Sequence, residues 1–189
     1  MQKHFVDEET HLLDGYRLGT QIFADGFRPS FIVGLWRGGA VVGMVVQECL
    51  ATLGVATDHI ALRTSYQGRE EYESTLKHQR DIRVHGKQYL LETVNAEDRL
   101  LIVDDVFSSG RHTEAVIESL RSGLKRNFPA EVKVASVWFR SADPEHAAVQ
   151  PDYFVHTTED WLVLPFEVKD LSAQEIAAHR PYLVDLLKR

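Results

Sequence analysis

Two adjacent acids, Asp104 and Asp105, are followed three residues later by the small turn Ser108-Ser109-Gly110. A carboxylate cannot be buried without a partner, so we expect the pair at the open end of a strand, where α/β sheets bind their ligands. A small-residue turn at the start of a helix presents backbone N–H groups to an anion. Acids beside an anion site suit a phosphate ester that carries several hydroxyl groups.

A second turn has the same construction. Arg37-Gly38-Gly39 follows an apolar run over residues 31–36 and precedes a mostly apolar segment over 40–53. Two glycines permit a close approach of the backbone to a ligand, and the Arg37 guanidinium offers a charged fork to phosphate oxygens. The pattern predicts a second phosphate site; the simpler alternative is an ordinary Gly-Gly turn.

The elements that position these turns follow from the apolar pattern. The continuous run over residues 100–103 predicts a central strand that is covered on both faces, and residues 111–126 predict the helix behind it. An amphipathic N-terminal helix ends near Gly26 and Pro29. Further predicted strands cover residues 31–36, 59–63, 133–139, 153–156 and 161–164, and helices cover 40–53 (closed by Gly54), the segment after the capping box Ser172-x-x-Glu175, and the segment from Pro181.

Strands that alternate with helices imply an α/β fold with a doubly wound, mostly parallel sheet. At 189 residues the chain is long enough for one substantial core, and we expect a single domain over residues 1–189. Residues 64–83 are polar and show no periodicity; a loop of that length is usually functional.

Bulk composition excludes several classes of protein. The contents of 44% hydrophobic and 26% charged residues are ordinary for a globular chain, and the net charge of −7 disfavours nucleic acid as a partner. No apolar stretch is long enough to span a membrane, and the acidic N-terminus lacks the pattern of a signal peptide. Cys49 is the single cysteine, which fits a reducing cytoplasm. The nine histidines show no metal-binding spacing.

The chain has neither of the common nucleotide loops, G-x-G-x-x-G or G-x-x-x-x-G-K-[ST]. Residues 99–113 instead resemble the phosphoribosyl-pyrophosphate (PRPP) motif of the type I phosphoribosyltransferases; the simpler alternative is a strand–turn–helix with solvent-facing acids. The resemblance implies that Asp104 and Asp105 hold ribose hydroxyls and Mg²⁺. It implies a 5′-phosphate site formed by Ser108, Ser109, Gly110, Arg111, His112 and Thr113, and a pyrophosphate site formed by Arg37, Gly38 and Gly39.

Two further segments resemble the purine branch of that family, namely xanthine-guanine and hypoxanthine phosphoribosyltransferases. Ser65-Tyr66 opens the long loop, about residues 64–83, as in the lids that close over the reaction centre and exclude water. A base-binding hood over about residues 140–170, with the chain termini, would supply Arg140 to the exocyclic oxygen, Trp161 to stack on the base, and Glu167 to the base or to Mg²⁺. The alternatives are a core tryptophan and a surface arginine.

This sequence departs from the family pattern at four positions. Arg140 replaces the usual Lys, Glu167 replaces the commoner Asp, and His112 occupies a position that is usually Thr or Ser. Ser108 stands where purine enzymes usually carry the Asp that handles the proton at purine N7. A serine is a poor general base without an activator, so either the proton is handled elsewhere or the activity differs.

We therefore expect an enzyme that transfers a 5-phosphoribosyl group from PRPP to a 6-oxopurine, releasing pyrophosphate. The expected catalytic residues are Arg37, Ser65, Tyr66, Asp105 and Ser108, with Mg²⁺ as cofactor and a homo-oligomer, dimer or tetramer, as the assembly. One alternative is a non-catalytic sensor of PRPP or nucleotides on the same fold. Another is a phosphoribosyltransferase for a different base, such as a pyrimidine, which Trp161 and Arg140 disfavour.

Overall fold

Five parallel strands form the main sheet of the computed structural model, which describes residues 3–64, 82–140 and 150–187. Along the described chain the elements are β1 (Lys3–Phe5), α1 (Glu8–Ala24), β2 (Phe31–Trp36), α2 (Gly38–Thr52), β3 (Asp58–Arg63), α3 (Gln88–Thr93), β4 (Arg99–Phe107), α4 (Arg111–Leu124) with a 3₁₀ turn (Lys125–Asn127), β5 (Glu131–Arg140), β6 (Tyr153–Thr158), β7 (Trp161–Val163), α5 (Ala173–His179) and α6 (Leu183–Leu186). The chain divides into two compact units, one of residues 14–64, 82–140 and 150–159 and the other of residues 3–13 and 160–187.

The larger unit contains the whole five-stranded sheet, in the order β3-β2-β4-β5-β6. All four strand pairs are parallel, with Val33 of β2 opposite Ile102 of β4 and Ile102 opposite Val134 of β5. Strand β4 lies at the centre of this order, and its apolar run over residues 100–103 is buried throughout. The prediction of an α/β fold with a mostly parallel sheet is confirmed.

Helices cover both faces of this sheet. On one face, α3 and α4 pack on the strands in a single cluster of buried residues, formed by Val33, Leu35, Leu62, Leu90, Val94, Leu100, Ile102, Val116, Leu120 and Leu124. On the other face, α2 contacts β2, β3 and β4. The approach is close, since a Cβ atom added to Gly34 would lie 2.7 Å from the Ala40 Cα of α2. The carboxyl ends of β2, β4 and β5 form the edge at which sheets of this kind bind their ligands.

Helix α1 is tied to the edge strand β6 by polar contacts within the larger unit. The fully buried Asp14 carboxylate accepts from Arg17 Nη1 at 2.8 Å and lies 2.9 Å from His156 Nε2. Tyr153 donates to Asp25 Oδ2 at 2.6 Å, and burial of its phenol raises the Tyr153 pKa far above the ordinary value. These contacts give a buried carboxylate the partners it requires.

Both ends of the described chain build the smaller unit. Strand β1 pairs in parallel with β7, joining Lys3 to Trp161. Arg180 is 2% exposed and donates to the Val6 carbonyl at 2.7 Å, and Phe5 stacks on His179 with ring centroids 3.7 Å apart. The capping box at Ser172 forms as predicted and begins α5.

The structure extends or shifts several predicted elements. Strand β4 continues to Phe107, so the two acids lie within the strand and not after it. Helix α2 begins at Gly38 and not at residue 40, and the last helix begins at Leu183, beyond Pro181. Strand β1 and helix α3 were not expected. No described helix is long and apolar enough to cross a membrane. The single-domain assignment stays a prediction.

Candidate functional site

The acid pair lies where β4 loses one neighbour and keeps the other. Pairing of β4 with β2 ends at Val103, whereas pairing with β5 continues to Phe107 opposite Phe139. Asp104 and Asp105 therefore follow the last β2 contact and are half-buried at the carboxyl edge. The open side of β4 at this point is a place where a ligand can contact both carboxylates.

The two carboxylates are electrostatically coupled. Asp104 Oδ1 accepts from the Asp105 amide at 3.0 Å, and Asp105 Oδ1 accepts from the Val106 amide at 2.9 Å. Burial, followed by the negative charge of Asp105, raises the pKa of Asp104 well above its usual range. A pair of this kind is stabilised by hydroxyl donors or by a cation, and both carboxylates are oxygen ligands of the type that Mg²⁺ prefers.

The Gly38-Gly39 turn lies directly against the acid pair. A Cβ atom on Gly39 would be 2.4 Å from the Val103 carbonyl oxygen, 2.9 Å from the Asp104 Cα and 3.2 Å from Asp104 Oδ1. No side chain fits at such distances. The sequence prediction placed these two segments in related roles, and the structure places them in contact. Arg37 is exposed at the start of α2, and the Trp36–Arg37 peptide is cis.

The Ser108-Ser109-Gly110 turn joins β4 to the amino end of α4. Gly110 has φ +72°, a left-handed conformation that favours glycine. The first hydrogen bond of the helix runs from the Glu114 amide to the Gly110 carbonyl at 2.9 Å. The amide of Arg111 precedes that bond, at the end of the helix where an anion is favoured.

The side chains of this turn differ in exposure. Ser109 and Thr113 are each 4% exposed, whereas Ser108 and Arg111 are half-buried. His112 is buried, and its burial lowers the His112 pKa to about 4, so the imidazole is neutral at neutral pH. A buried neutral ring supports the turn by packing and adds no positive charge to an anion site.

Arg140 and Ser108 are brought together across neighbouring strands. Arg140 is the last residue of β5, and its Nη2 donates to Ser108 Oγ at 3.3 Å. Sequence reasoning named both residues but not this contact. It also missed Ser136, whose fully buried hydroxyl accepts from the Phe107 amide at 3.0 Å and donates to the Trp138 carbonyl at 2.9 Å. A lone serine within an apolar strand was the available signal.

The other two residues predicted to bind the base belong to the smaller unit. Trp161 is half-buried at the start of β7. Glu167 Oε2 accepts from the Leu164 amide at 3.2 Å while the Glu167 amide donates to the Leu164 carbonyl at 3.0 Å, so this side chain closes its own turn. Ser65 and Tyr66, and most of the predicted lid, lie outside the described residues. Among residues 3–64, 82–140 and 150–187, no three His, Cys, Asp or Glu side chains cluster to hold a metal.

Comparison with solved structures finds the same fold in proteins of low sequence identity, among them the following three. A purine phosphoribosyltransferase from Pyrococcus horikoshii is 22% identical with a TM-score of 0.66, over 91% of this chain and 99% of that one. The xanthine-guanine-hypoxanthine phosphoribosyltransferase of Helicobacter pylori is 17% identical with a TM-score of 0.65, over 94% and 100% of the two chains. A hypothetical protein from Neisseria gonorrhoeae with bound ppGpp is 16% identical with a TM-score of 0.70, over 99% and 98%.

Curated protein sequences gave no match. The family model of the phosphoribosyl transferase domain, in contrast, matches residues 4–172, which include both turns and the acid pair. The two carboxylates, the Gly-Gly turn and the amino end of α4 all lie within the matched residues. The chain belongs to the phosphoribosyl transferase domain family.

Proposed function

We propose that this protein is a purine phosphoribosyltransferase that joins a 6-oxopurine to the 5-phosphoribosyl group of PRPP and releases pyrophosphate. The observation that carries the proposal is the contact of the Gly38-Gly39 turn with Asp104. That contact puts a glycine turn, two carboxylates and a helix amino end at one edge of the sheet. PRPP presents a pyrophosphate, two ribose hydroxyls and a 5′-phosphate, which are the groups that such a set can bind.

Each part of PRPP then has a counterpart in the larger unit. The carboxylates of Asp104 and Asp105 accept hydrogen bonds from the ribose hydroxyls, because charged acceptors form the stronger bonds. The turn at residues 108–110 and the amide of Arg111 hold the 5′-phosphate. Because Ser109 and Thr113 are almost fully buried, the half-buried Ser108 and Arg111 supply most of that contact. Arg37 and the Gly38-Gly39 backbone hold the pyrophosphate.

Magnesium is part of the proposal. Asp104 and Asp105 fit it, since Mg²⁺ takes one or two carboxylates together with phosphate oxygens and water. When bound, the ion neutralises the charge of the pyrophosphate. Glu167 is a weaker candidate as a ligand, because its carboxylate already accepts from the Leu164 amide.

The base is proposed to contact Arg140, while the roles of Trp161 and Glu167 toward the base and of Ser65-Tyr66 as a lid stay predictions from the sequence. The transition state carries positive charge on the sugar ring, so the residues act mainly by positioning and by charge stabilisation. We also propose a homo-oligomeric protein of the cytoplasm.

The test is a product assay with PRPP, Mg²⁺ and a panel of purine and pyrimidine bases, and we expect turnover with a 6-oxopurine. Asp104→Asn and Asp105→Asn should each lower kcat/KM for PRPP by about 10- to 150-fold, since hydrogen bonds to charged groups contribute about 1.5–3 kcal/mol. Neither change should lower the melting temperature, because each removes a repelling carboxylate. The exposed Asp170, changed to Asn, is the matched control. If both variants keep the kcat/KM of the wild type, the site has been assigned wrongly.

A second candidate function is a non-catalytic sensor of PRPP or nucleotides. Two observations favour it: Ser108 supplies a hydroxyl in place of a general base, and one protein with the same fold has been solved with bound ppGpp. A protein that binds PRPP or a guanine nucleotide but is inactive on every base would establish this alternative.

A further inference from the structure

We propose that Ser136, a fully buried residue of β5, positions the turn at residues 108–110 and thereby supports binding of the phosphoribosyl half of PRPP. The inference rests on the proposed function and deepens it, because it adds a residue that touches no substrate. Ser136 acts through the backbone of β4, the strand that contains the acid pair and leads into the turn. Its effect should therefore reach the phosphoribosyl group and not the pyrophosphate.

The ladder between β4 and β5 has a gap at the acid pair. Among the described pairs of these two strands, Asp104–Ser136 is followed directly by Val106–Trp138, so the step at Asp105 is missing. Pairing of β4 with β2 has already ended at this point. The backbone of β4 is therefore held less completely here than along its apolar run, and side chains are needed to satisfy it.

Three side chains accept the successive backbone amides at this gap. The Asp105 amide donates to Asp104 Oδ1 at 3.0 Å, and the Val106 amide donates to Asp105 Oδ1 at 2.9 Å. The Phe107 amide donates to Ser136 Oγ at 3.0 Å. The first two bonds stay within β4, whereas the third joins β4 to β5. Of the three, the bond to Ser136 is thus the one that fixes β4 relative to its neighbour.

The Ser136 hydroxyl serves both strands at once. It accepts from the Phe107 amide of β4 and donates to the Trp138 carbonyl of β5 at 2.9 Å. A hydroxyl has one donor and two acceptor positions, so a single serine can bind a backbone N–H and a backbone C=O together. Because Ser136 is 0% exposed, loss of the hydroxyl would remove a partner from both groups at a buried position, which is costly.

This bond acts at the start of the 5′-phosphate turn. Phe107 is the last residue of β4, so Ser136 holds the amide immediately before residues 108–110. Trp138 lies two residues before the end of β5. Since one hydroxyl joins the two strands here, it fixes how far β4 extends beside β5 and thereby where the turn lies relative to the acid pair. Such support matters, because a site that is loose by about 1 Å loses function.

The pyrophosphate side of the proposed site is built differently. The Gly38-Gly39 turn begins α2 and approaches β4 at the Val103 carbonyl and at Asp104, both of which precede the gap. Ser136 acts beyond the gap, at the far end of the strand. We therefore expect loss of its hydroxyl to displace the phosphate turn and to leave the glycine turn in place.

Calorimetry with ribose 5-phosphate and with pyrophosphate, each in the presence of Mg²⁺, tests the inference. Ser136→Ala should weaken binding of ribose 5-phosphate by about 10- to 100-fold, the range known for residues that orient metal ligands, and should change pyrophosphate binding by less than about twofold. The melting temperature should fall by about 2–10 °C, because two buried backbone groups lose a partner.

Three further variants separate positioning from stability. Ser136→Thr keeps the hydroxyl and should retain the affinity for ribose 5-phosphate, although its added methyl group lowers the melting temperature. Ser136→Cys fills the space but offers only a weak donor and acceptor, so it should weaken ribose 5-phosphate by a smaller factor than Ser136→Ala. Ile22→Val, in the core of α1, is the matched destabilised control and should bind both ligands as the wild type does. If Ser136→Ala does not fold, Ser136→Cys provides the same comparison.

Equal weakening of both ligands by Ser136→Ala overturns the inference, because a purely structural role would not distinguish them. Unchanged binding of both ligands overturns it too, as does a loss of ribose 5-phosphate binding in Ser136→Thr that equals the loss in Ser136→Ala. A wild type that turns over PRPP but does not bind ribose 5-phosphate contradicts the inference and leaves the proposed function standing. A wild type that binds neither PRPP nor either ligand refutes the proposed function itself.

Discussion

Two turns of the same construction bound this site, and glycine is required in them for different reasons. In the turn from β2 to α2, Gly39 is fixed by distance, because the Val103 carbonyl and Asp104 leave no room for a Cβ atom. In the turn from β4 to α4, Gly110 is fixed by its backbone conformation, with φ +72°. Glycine is needed in the first turn because β4 packs against it, and in the second because the backbone there is left-handed. A ligand site can therefore be sensitive to substitution in one turn and tolerant in the other.

The two turns also differ in the side chains that surround them. The first has the exposed Arg37 and leads into a mostly apolar helix. The second combines acids with the buried His112, which is neutral because burial lowers its pKa. Charge in the first turn comes from the exposed Arg37 side chain, whereas the second turn combines backbone amides with a buried, neutral imidazole.

The largest expected effect is the acid sensitivity of the second turn. The folded-state pKa of His112 is about 4, below its unfolded value of 6.5. Between these values the unfolded chain binds more protons, so stability should fall as the pH falls from 6.5 toward 4, by up to about 3 kcal/mol. His112→Gln should flatten this part of the profile in urea unfolding, and exposed His85→Gln should not. An unchanged slope in His112→Gln would show that the second turn does not depend on a neutral side chain.

The next effect is expected at Gly39. Gly39→Ala forces the turn away from β4, because the nearest atoms are backbone and cannot move aside as a side chain does. We expect a loss of about 1–3 kcal/mol of stability together with a raised KM for PRPP, measured by thermal unfolding and by steady-state kinetics. Wild-type values for both would mean that the close contact with Asp104 is not needed.

The smallest effect is expected at Gly110. Gly110→Ala should cost about 1–2 kcal/mol, the ordinary penalty of a left-handed residue with a Cβ atom, and Gly110→Asn should cost less. Gly26→Ala is the control for this penalty, since Gly26 has φ +85° and a Cβ there would meet nothing within 4 Å. The KM for PRPP should change less than in Gly39→Ala. A larger rise in the KM for PRPP in Gly110→Ala than in Gly39→Ala would contradict this distinction between the two turns.

Much of this arrangement follows from local sequence. The strands β2, β4 and β5 were predicted because continuous apolar runs have few alternatives in a chain of alternating elements. Strand β1 was missed because Lys3-His4-Phe5 has no strand pattern of its own and is a strand only through its pairing with β7. Helix α3 was missed because a segment of six residues is too short to show a helical repeat of apolar residues.

The residue types of the candidate site could be predicted from the sequence, but the contacts between those residues could not. Asp104 was expected after the strand, yet β4 continues because the Ser136 hydroxyl and pairing with β5 hold its last residues. The bond between Arg140 and Ser108 joins residues 32 positions apart, which only the order of the strands brings together. The pKa of Asp104 likewise depends on burial that no single segment specifies.

The pairing of β1 with β7 has a consequence for synthesis on the ribosome. Lys3 is synthesised before its partner Trp161, which follows more than 150 positions later. The five strands of the larger unit all emerge before β7 does. Strand β1 therefore gains its partner β7 only after the whole five-stranded sheet has been synthesised, so the sheet of the smaller unit forms later than the strands that it brackets in the sequence.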